Sequence, residues 1–216
     1  MGEQHGSGAQ TDGGVRICCD LSLVNEAVIA DGYPLPTLDE LTNDFAGAQY
    51  FSKLDLKWGY LQVPLHENTR NLTGMVTPLG LYRWNRMPFG LRSAPSAFQK
   101  IIARIIKDCQ GSKNLDDIAI WGRSKSEHDA RLVQVLKRLD SYNVRLNAAK
   151  CLFGVREMDF IGHHFSVEGV KPLQSNDKAI LNMPTPTNQK QLASVLGAAG
   201  YYMKFVPCFA EIARPL

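Results

Sequence analysis

Residues 112–120 read SKNLDDIAI, in which three polar residues and a leucine precede two adjacent carboxylates and an apolar run. The run over residues 118–121 has the composition of a buried strand. Such a strand should not begin with two acids unless their charge is compensated, because an unpaired buried carboxylate is costly. The stretch therefore predicts a core strand that carries Asp116 and Asp117 at its beginning, next to a group that neutralises them.

A third acid has similar surroundings, since Asp55 lies in the apolar segment FSKLDL at residues 51–56. If the two segments form neighbouring strands, the carboxylates of Asp55, Asp116 and Asp117 converge. Three clustered carboxylates repel one another unless cations neutralise them, and Mg²⁺ prefers oxygen ligands. Two such ions about 4 Å apart can activate a hydroxyl and stabilise a leaving phosphate oxygen. The alternative is structural: Asp55 ends a strand in an Asx turn, and the other two acids form a hairpin turn.

The bulk properties of the chain narrow the class of protein. With 216 residues and 44% hydrophobic content, it is able to bury a core as one domain or two small lobes. Its net charge of +3 favours an anionic partner only mildly. No apolar stretch approaches the roughly 18–20 residues that span a bilayer, so no membrane association is expected. The polar, glycine-rich residues 1–14 predict a disordered lead-in.

The cysteines indicate the redox setting. The chain contains five, an odd number, and none of them forms a CxxC pair. A disulfide framework or a zinc site is therefore not expected. We expect an intracellular, reducing environment. The cysteines do not distinguish a cytoplasmic particle from the nucleus.

Several segments have the periodicity or the capping residues of helices. Thr37 and Glu40 have the spacing of a capping box, which predicts a short helix that ends near Phe45. Ser93 is the predicted N-cap of an amphipathic helix, and a second amphipathic helix is predicted from about residue 126 to residue 142. The apolar stripe of the first amphipathic helix consists of Phe98, Ile101, Ile102, Ile105 and Ile106.

Other segments predict strands. Strand-like runs flank residues 57–59, and a strand, turn and strand pattern surrounds residues 78–80. Residues 151–167 predict a hairpin around a glycine-containing turn. Because strands and helices interleave irregularly, an α+β fold is favoured over a regular parallel βαβ array.

Six motifs occur in an order that is more specific than any one of them. Together they resemble the reverse transcriptase of Ty3/gypsy-type long-terminal-repeat retrotransposons, over residues 15–216. The resemblance implies a right-hand polymerase with partial fingers (15–33 and 63–93), a palm (34–62 and 94–168) and a helical thumb with the start of a connection (169–216). The motifs are FSKLDLKWGYLQVPL, MPFGLRSAPSAFQK, LDDIAI, LNAAKCLFG, FIGHHFS and YYMKFVP.

The same resemblance implies an activity. Enzymes of this family copy an RNA or DNA template into DNA, adding nucleotides from dNTPs to a primer with two Mg²⁺ ions, for which Mn²⁺ is a possible substitute. Asp55 resembles the first palm aspartate, which binds both metals, and Leu56 is assigned to the metal site with it. Asp116 and Asp117 resemble the paired aspartates of the family's Tyr-x-Asp-Asp hairpin.

Further residues are assigned to substrates by resemblance. Tyr60 resembles an aromatic steric gate that excludes a ribose 2′-hydroxyl, although an ordinary strand aromatic is an open alternative. Arg16 resembles a phosphate-binding fingers arginine or is a solvated charge, and Phe89 packs near the nucleotide sugar or in the core. The segment beneath the triphosphate would be Leu56, Lys57, Trp58 and Gly59. The hairpin that grips the primer's 3′ end would have Phe160, Ile161 and Gly162 at its tip, which is compatible with a plain stabilising hairpin.

The approach to the acid pair departs from the family pattern. The family has a β-branched run that ends in tyrosine, whereas here Gly111 is followed by only Ser112, Lys113 and Asn114 before Leu115. A one-residue difference changes which side chains face the core, because side chains alternate along a strand. The geometry of the acids is therefore the feature that the sequence leaves open.

The resemblance also implies segments beyond this chain. A full polyprotein would add a larger fingers segment, a connection and ribonuclease H, so the chain reads as a truncated piece. Two functions follow: a nucleotidyl transferase that elongates a primer, or a catalytically inactive retrotransposon remnant that at most binds nucleic acid.

Overall fold

The computed structural model describes residues 7–9, 15–17, 19–29, 32–33, 37–115, 117–173 and 180–214. The strands are β1 (Ser7–Ala9), β2 (Val15–Ile17), β3 (Tyr50–Leu54), β4 (Gly74–Thr77), β5 (Gly80–Arg83), β6 (Ser112–Asn114), β7 (Ile118–Gly122), β8 (Leu152–Val155), β9 (Glu157–Phe160), β10 (His163–Ser166) and β11 (Gly169–Pro172). The α-helices are α1 (Ser22–Ala27), α2 (Leu38–Asp44), α3 (Glu67–Arg70), α4 (Ala94–Ile105), α5 (Lys125–Ser141), α6 (Gln189–Gly200) and α7 (Phe209–Ala213). Short 3₁₀ helices occupy Gly59–Gln62, Asn71–Thr73, Ala148–Lys150 and Met203–Phe205.

A four-stranded antiparallel sheet in the order β6-β7-β3-β8 forms the centre of the fold. The strands predicted at residues 51–54 and 118–121 are its two middle strands, β3 and β7, and they pair with Leu54 opposite Ile118. Side chains alternate across the pleat, so each strand contributes to both faces. The sheet therefore separates two hydrophobic clusters.

The two clusters bury opposite faces of this sheet. One contains Leu54, Ile118 and Ile120 together with α4 and α5, and the apolar stripe predicted on α4 lies against it. The other contains Phe51 and Ala119, with side chains from α2 and from a three-stranded sheet in the order β11-β10-β9. Helices on one face and a helix with a second sheet on the other confirm the α+β fold class.

Of the three helices predicted up to residue 142, two begin at a side chain that caps them and one does not. The predicted capping box is present, because the Thr37 side chain accepts from the Glu40 N–H and the Glu40 side chain accepts from the Thr37 N–H. Helix α5 is capped by Ser124, whose hydroxyl accepts from the Glu127 N–H at 3.2 Å. Ser93 occupies the N-cap position of α4, but its side chain makes no capping hydrogen bond, since its backbone is already helical at φ −87° and ψ −7°.

Two predictions of local structure are wrong. The second strand-like run, after residue 59, begins within the 3₁₀ helix Gly59–Gln62, because Trp58 takes a left-handed conformation (φ 52°, ψ 40°) that ends the extended path. The disordered lead-in predicted over residues 1–14 is wrong at residues 7–9, which form β1 and pair with β2, while residues 1–6 and 10–14 lie outside the described residues. Pairing of this kind uses backbone groups, so a polar sequence does not prevent it.

Strands β4 and β5 form a separate two-stranded ribbon whose turn lies between Thr77 and Gly80, as predicted. The division of the chain into fingers, palm and thumb remains a prediction from the sequence. Among the residues that the structure describes, no helix combines the length and apolarity needed to cross a membrane.

Candidate active site

Two of the three predicted acids occupy opposed positions just beyond the paired strands of the central sheet. The register that pairs Leu54 with Ile118 makes Asp55 and Asp117 the next opposed positions. Opposed residues of antiparallel strands have Cα atoms about 4.5–5.5 Å apart. Both acids are half-buried. Asp116, the third predicted acid, lies outside the described residues.

The backbone of Asp55 is fixed by the segment before β8. The Asp55 N–H donates to the Cys151 Sγ atom at 3.3 Å, and the Asn147 N–H donates to the Asp55 carbonyl at 2.9 Å. Burial raises the pKa of the Cys151 thiol, the hydrogen bond from Asp55 opposes this shift, and the charges of Asp55 and Asp117 add to it. The hydrogen bond to Cys151 thus ties the backbone of Asp55 to the beginning of β8.

Sequence reasoning assigned no role to Cys151. The residue lies in LNAAKCLFG, which was identified only as one of the family motifs. Its contact with Asp55 spans 96 positions of the chain, so no local pattern could have shown it.

The structural alternative for these acids was a hairpin turn at Asp116 and Asp117 and an Asx turn at Asp55. The described residues support the hairpin but not the Asx turn. The Leu115 N–H donates to the Asp117 carbonyl at 2.9 Å, and Asn114 pairs with Ile118, so Leu115 and Asp117 lie in the hairpin connection between β6 and β7. An Asx turn at Asp55 would need a hydrogen bond to its carboxylate, and no described residue donates one. The hairpin turn thus places the acids, while the Asp55 carboxylate stays available for a ligand.

The polar approach to the acids, Ser112 to Asn114, is fully partnered. Asn114 is buried and forms a reciprocal pair with Gln99 of α4: its side-chain amide donates to the Gln99 carbonyl at 3.1 Å, and the Gln99 amide donates to the Asn114 carbonyl. Lys113 forms an ion pair with Asp44 at 2.6 Å, and Ser112 donates to the Cys109 carbonyl at 2.7 Å. The departure from the family pattern is therefore compensated on this side of the hairpin.

The segment after Asp55 forms one wall of the site. Leu56 is buried and bridges Leu146, and its backbone carbonyl accepts from the Gly59 N–H at 3.3 Å. The Lys57 N–H donates to the Arg145 carbonyl at 3.0 Å, and the exposed Trp58 ring lies 5.4 Å from the Lys57 ammonium. This wall thus presents a cation and a ring to solvent.

Tyr60 is held by aromatic contacts rather than by a strand. Its ring centroid lies 5.3 Å from Phe89 and 5.3 Å from Phe98. A Cβ atom at Gly59 would lie only 3.0 Å from the Phe98 ring, so glycine allows the close approach of the wall to α4. The structure therefore brings together Tyr60 and Phe89, which were both assigned to nucleotide binding.

The remaining assigned residues lie in two other places. Arg16 belongs to β2, where its backbone is opposite Gly8, and its side chain lies outside the described part of the chain. Phe160 is buried in β9, and Ile161 with Gly162 forms the two-residue turn to β10, where both residues have positive φ (49° and 69°). Positive φ at both central positions is the signature of a type I′ hairpin turn.

The carboxylates of Asp55 and Asp117 are chemically suited to a hard divalent ion, since carboxylate oxygens are the ligands that Mg²⁺ prefers. No group of three histidine, cysteine, aspartate or glutamate side chains that could hold a metal occurs within the residues that the structure describes. The pair Asp55 and Asp117 is thus the described part of the predicted three-acid site.

Comparison with known proteins gives the family. The family model of reverse transcriptase (RNA-dependent DNA polymerase) matches residues 9–165. The chain is 37% identical over 204 residues to a retrovirus-related Pol polyprotein from transposon 297 of Drosophila melanogaster, and the match covers 93% of the chain. It is 33% identical over 208 residues to the transposon Tf2-3 polyprotein of Schizosaccharomyces pombe, with 95% of the chain covered. The chain spans only 19% and 16% of the lengths of these relatives.

Solved structures show the same fold. A foamy viral protease–reverse transcriptase in complex with ds DNA matches with a TM-score of 0.85 and 24% identity, over 100% of this chain and 38% of that one. The foamy viral enzyme in complex with an RNA/DNA hybrid matches with a TM-score of 0.78 and 24% identity, over 100% of this chain and 29% of that one. The transposon relatives confirm the resemblance to Ty3/gypsy-type elements. The chain belongs to the reverse transcriptase (RNA-dependent DNA polymerase) family.

Proposed function

We propose that this chain is the polymerase domain of a longer retrotransposon polyprotein and that it extends a primer on an RNA or DNA template with nucleotides from dNTPs. The supporting observation is the opposed position of Asp55 and Asp117 at the end of the central sheet, in a chain of this family. The foamy viral relatives were solved with ds DNA or with an RNA/DNA hybrid, which supports a template–primer duplex as the partner.

In the proposed reaction, the primer 3′-hydroxyl oxygen attacks the α-phosphorus of a dNTP. An oxygen–phosphorus bond forms, the bond to the β-phosphate bridging oxygen breaks, and pyrophosphate leaves as the hydroxyl proton is lost. Two Mg²⁺ ions, or Mn²⁺ in their place, would favour the deprotonated hydroxyl and neutralise the leaving charge. Asp55, Asp116 and Asp117 would hold these ions, with the Leu56 carbonyl beside them.

The other assigned residues would position the nucleotide. Lys57 is exposed and cationic at the wall beside Asp55, so it can attract the triphosphate. The Tyr60 ring is fixed between Phe89 and Phe98, and a fixed ring can exclude a ribose 2′-hydroxyl by contact. Arg16 of β2 would bind a phosphate, and the 160–162 turn would hold the primer end.

Primer extension tests this proposal. The full chain is incubated with Mg²⁺, dNTPs and a DNA primer on an RNA template, and the variants are Asp55→Asn and Asp117→Asn. We expect each variant to lose on the order of 100-fold or more in rate, because metal-ion stabilisation of the transition state amounts to several kcal/mol. Asp140→Asn is the matched control, since Asp140 is an exposed aspartate near the end of α5.

The outcomes separate the two functions that the sequence allows. Extension that is lost in both active-site variants and kept in the control supports the polymerase. No extension by folded wild-type chain, or equal extension by all four proteins, would contradict the proposal and favour an inactive remnant.

A further inference from the structure

Two consecutive tyrosines close on the turn at residues 161–162. Tyr201 and Tyr202 follow α6 directly, 40 positions along the chain from this turn. The Tyr201 hydroxyl donates to the Ile161 carbonyl at 2.9 Å, and the Tyr202 hydroxyl donates to the Gly162 carbonyl at 3.2 Å. In a two-residue hairpin these two carbonyls lie outside the ladder of β9 and β10, so their hydrogen-bond donors must come from elsewhere in the chain or from water.

His163 joins the same contact from the hairpin side. Its ring is buried, with Nδ1 2.7 Å from the Ile161 carbonyl, so Nδ1 carries the proton in that hydrogen bond. The ring centroid lies 5.2 Å from Tyr201, 5.5 Å from Tyr202 and 5.6 Å from Phe205. The Ile161 carbonyl thus accepts two hydrogen bonds inside an aromatic cluster.

The turn that receives these contacts is strained. Ile161 has a φ of 49°, and a β-branched residue in this left-handed region is a true outlier. Such conformations persist only when their surroundings hold them in place. Ile161 is still 37% exposed, so the contacts hold its backbone while the residue remains accessible to a partner.

We propose that Tyr201 and Tyr202 are positioning residues, which hold the 161–162 turn through its two carbonyls and so set where the turn meets the primer's 3′ end. The inference rests on the proposed function for the identity of the primer as partner. It adds a requirement for the segment after α6: the hydroxyls, and not only the rings, keep the primer end aligned.

The variants remove hydroxyls and keep rings. They are Tyr201→Phe, Tyr202→Phe and the double variant in the full chain. Tyr142→Phe is the matched control, because Tyr142 is an exposed tyrosine whose ring lies 5.9 Å from the Arg138 guanidinium, at the end of α5. Hydrogen–deuterium exchange of the amides of residues 160–163 reports whether the turn is held. We expect roughly fivefold faster exchange for each lost hydroxyl, since a hydrogen bond contributes about 1 kcal/mol.

The second measurement follows the primer end without requiring catalysis. A primer that carries 2-aminopurine at its 3′ end is annealed to a template, and its fluorescence is compared when free and when bound. We expect the fluorescence to change on binding to wild type and to Tyr142→Phe, and we expect the double variant to lose most of that change. The affinity of the double variant for the duplex should fall by a smaller factor than the fluorescence change does.

Each result decides the inference. Unchanged exchange at residues 160–163 in the double variant would overturn it, because the hydroxyls would then not hold the turn. Faster exchange with an unaltered 2-aminopurine signal would also overturn it, because the contact would then be structural only. If wild type shows the signal but extends no primer, the proposed function fails while the positioning role stands.

Discussion

The central sheet and the β4–β5 ribbon have similar strand lengths but opposite environments. In β7, residues Ile118, Ala119 and Ile120 are all 0% exposed, and both faces of the strand are covered. In β5 every residue is exposed, including Leu81 at 77%. A two-stranded ribbon of this kind has little stability of its own. Asp55 and Asp117 thus lie next to strands that are packed on both faces, whereas the exposed β5 strand lacks such packing.

The largest expected effect is a difference in stability between a substitution in β7 and one in β5. Ile120→Ala in β7 should destabilise the chain by about 2–5 kcal/mol, because a large apolar side chain leaves a cavity that a closed core cannot refill. Leu81→Ala in β5 should change the free energy of unfolding by less than about 0.5 kcal/mol, as expected for a surface site. Urea unfolding measures both, and equal losses would show that the ribbon is packed as firmly as the sheet.

A smaller effect tests how the sheet tolerates its polar edge. Asn114→Ala should cost about 1–3 kcal/mol, because it removes a buried amide that donates to the Gln99 carbonyl and leaves no group in its place. Asn85→Ala is the matched control, since Asn85 is an exposed asparagine near the ribbon. If Asn114→Ala unfolds at the same urea concentration as wild type, the reciprocal pair does not compensate the missing family tyrosine.

The sequence predicted the rigid region better than its edges. The runs at residues 51–54 and 118–121 were identifiable because burial on both faces selects continuous apolar strands. The partner of Asn114 could not be identified from the sequence, because nothing distinguishes the Gln99 amide from a surface amide until α4 is packed against β6. The same limit applies to Tyr201 and Tyr202, whose acceptors are backbone carbonyls 40 positions away.

The candidate site also has a part that the sequence predicted and a part that it did not. The opposed positions of Asp55 and Asp117 followed from two strands expected to be neighbours, and β3 and β7 are indeed paired. The convergence of the carboxylates stays a prediction. The run after residue 59 was wrongly predicted as strand-like, because the left-handed conformation of Trp58 has no signal in composition or periodicity. Tyr60 consequently reaches the site from a 3₁₀ helix, against Phe89 and Phe98.

The smallest expected effect is a pH dependence of stability. Burial lowers the pKa of His163, the hydrogen bond to the Ile161 carbonyl opposes this shift, and the Lys204 charge adds to it. Below pH 6.5, the ordinary pKa of histidine, the unfolded chain therefore binds a proton that the folded chain does not, and stability falls as the pH falls. One such proton changes the free energy of unfolding by at most about 1.4 kcal/mol per pH unit.

His163→Phe should remove this contribution and flatten the profile between pH 7 and pH 5. His66→Gln, which replaces an exposed histidine, is the control. Urea unfolding at several pH values gives both slopes. A steeper slope for His163→Phe than for wild type would contradict the assignment.

The central claim is that Asp55 and Asp117 share divalent ions at the end of the sheet. Its most direct measurement is Mn²⁺ binding, followed by electron paramagnetic resonance of the free ion, with a template, a dideoxy-terminated primer and a dNTP present so that no turnover occurs. We predict that wild type and Asp140→Asn bind Mn²⁺ equally and that Asp55→Asn and Asp117→Asn each bind it roughly tenfold more weakly or worse. Equal Mn²⁺ affinity in all four proteins would contradict the account.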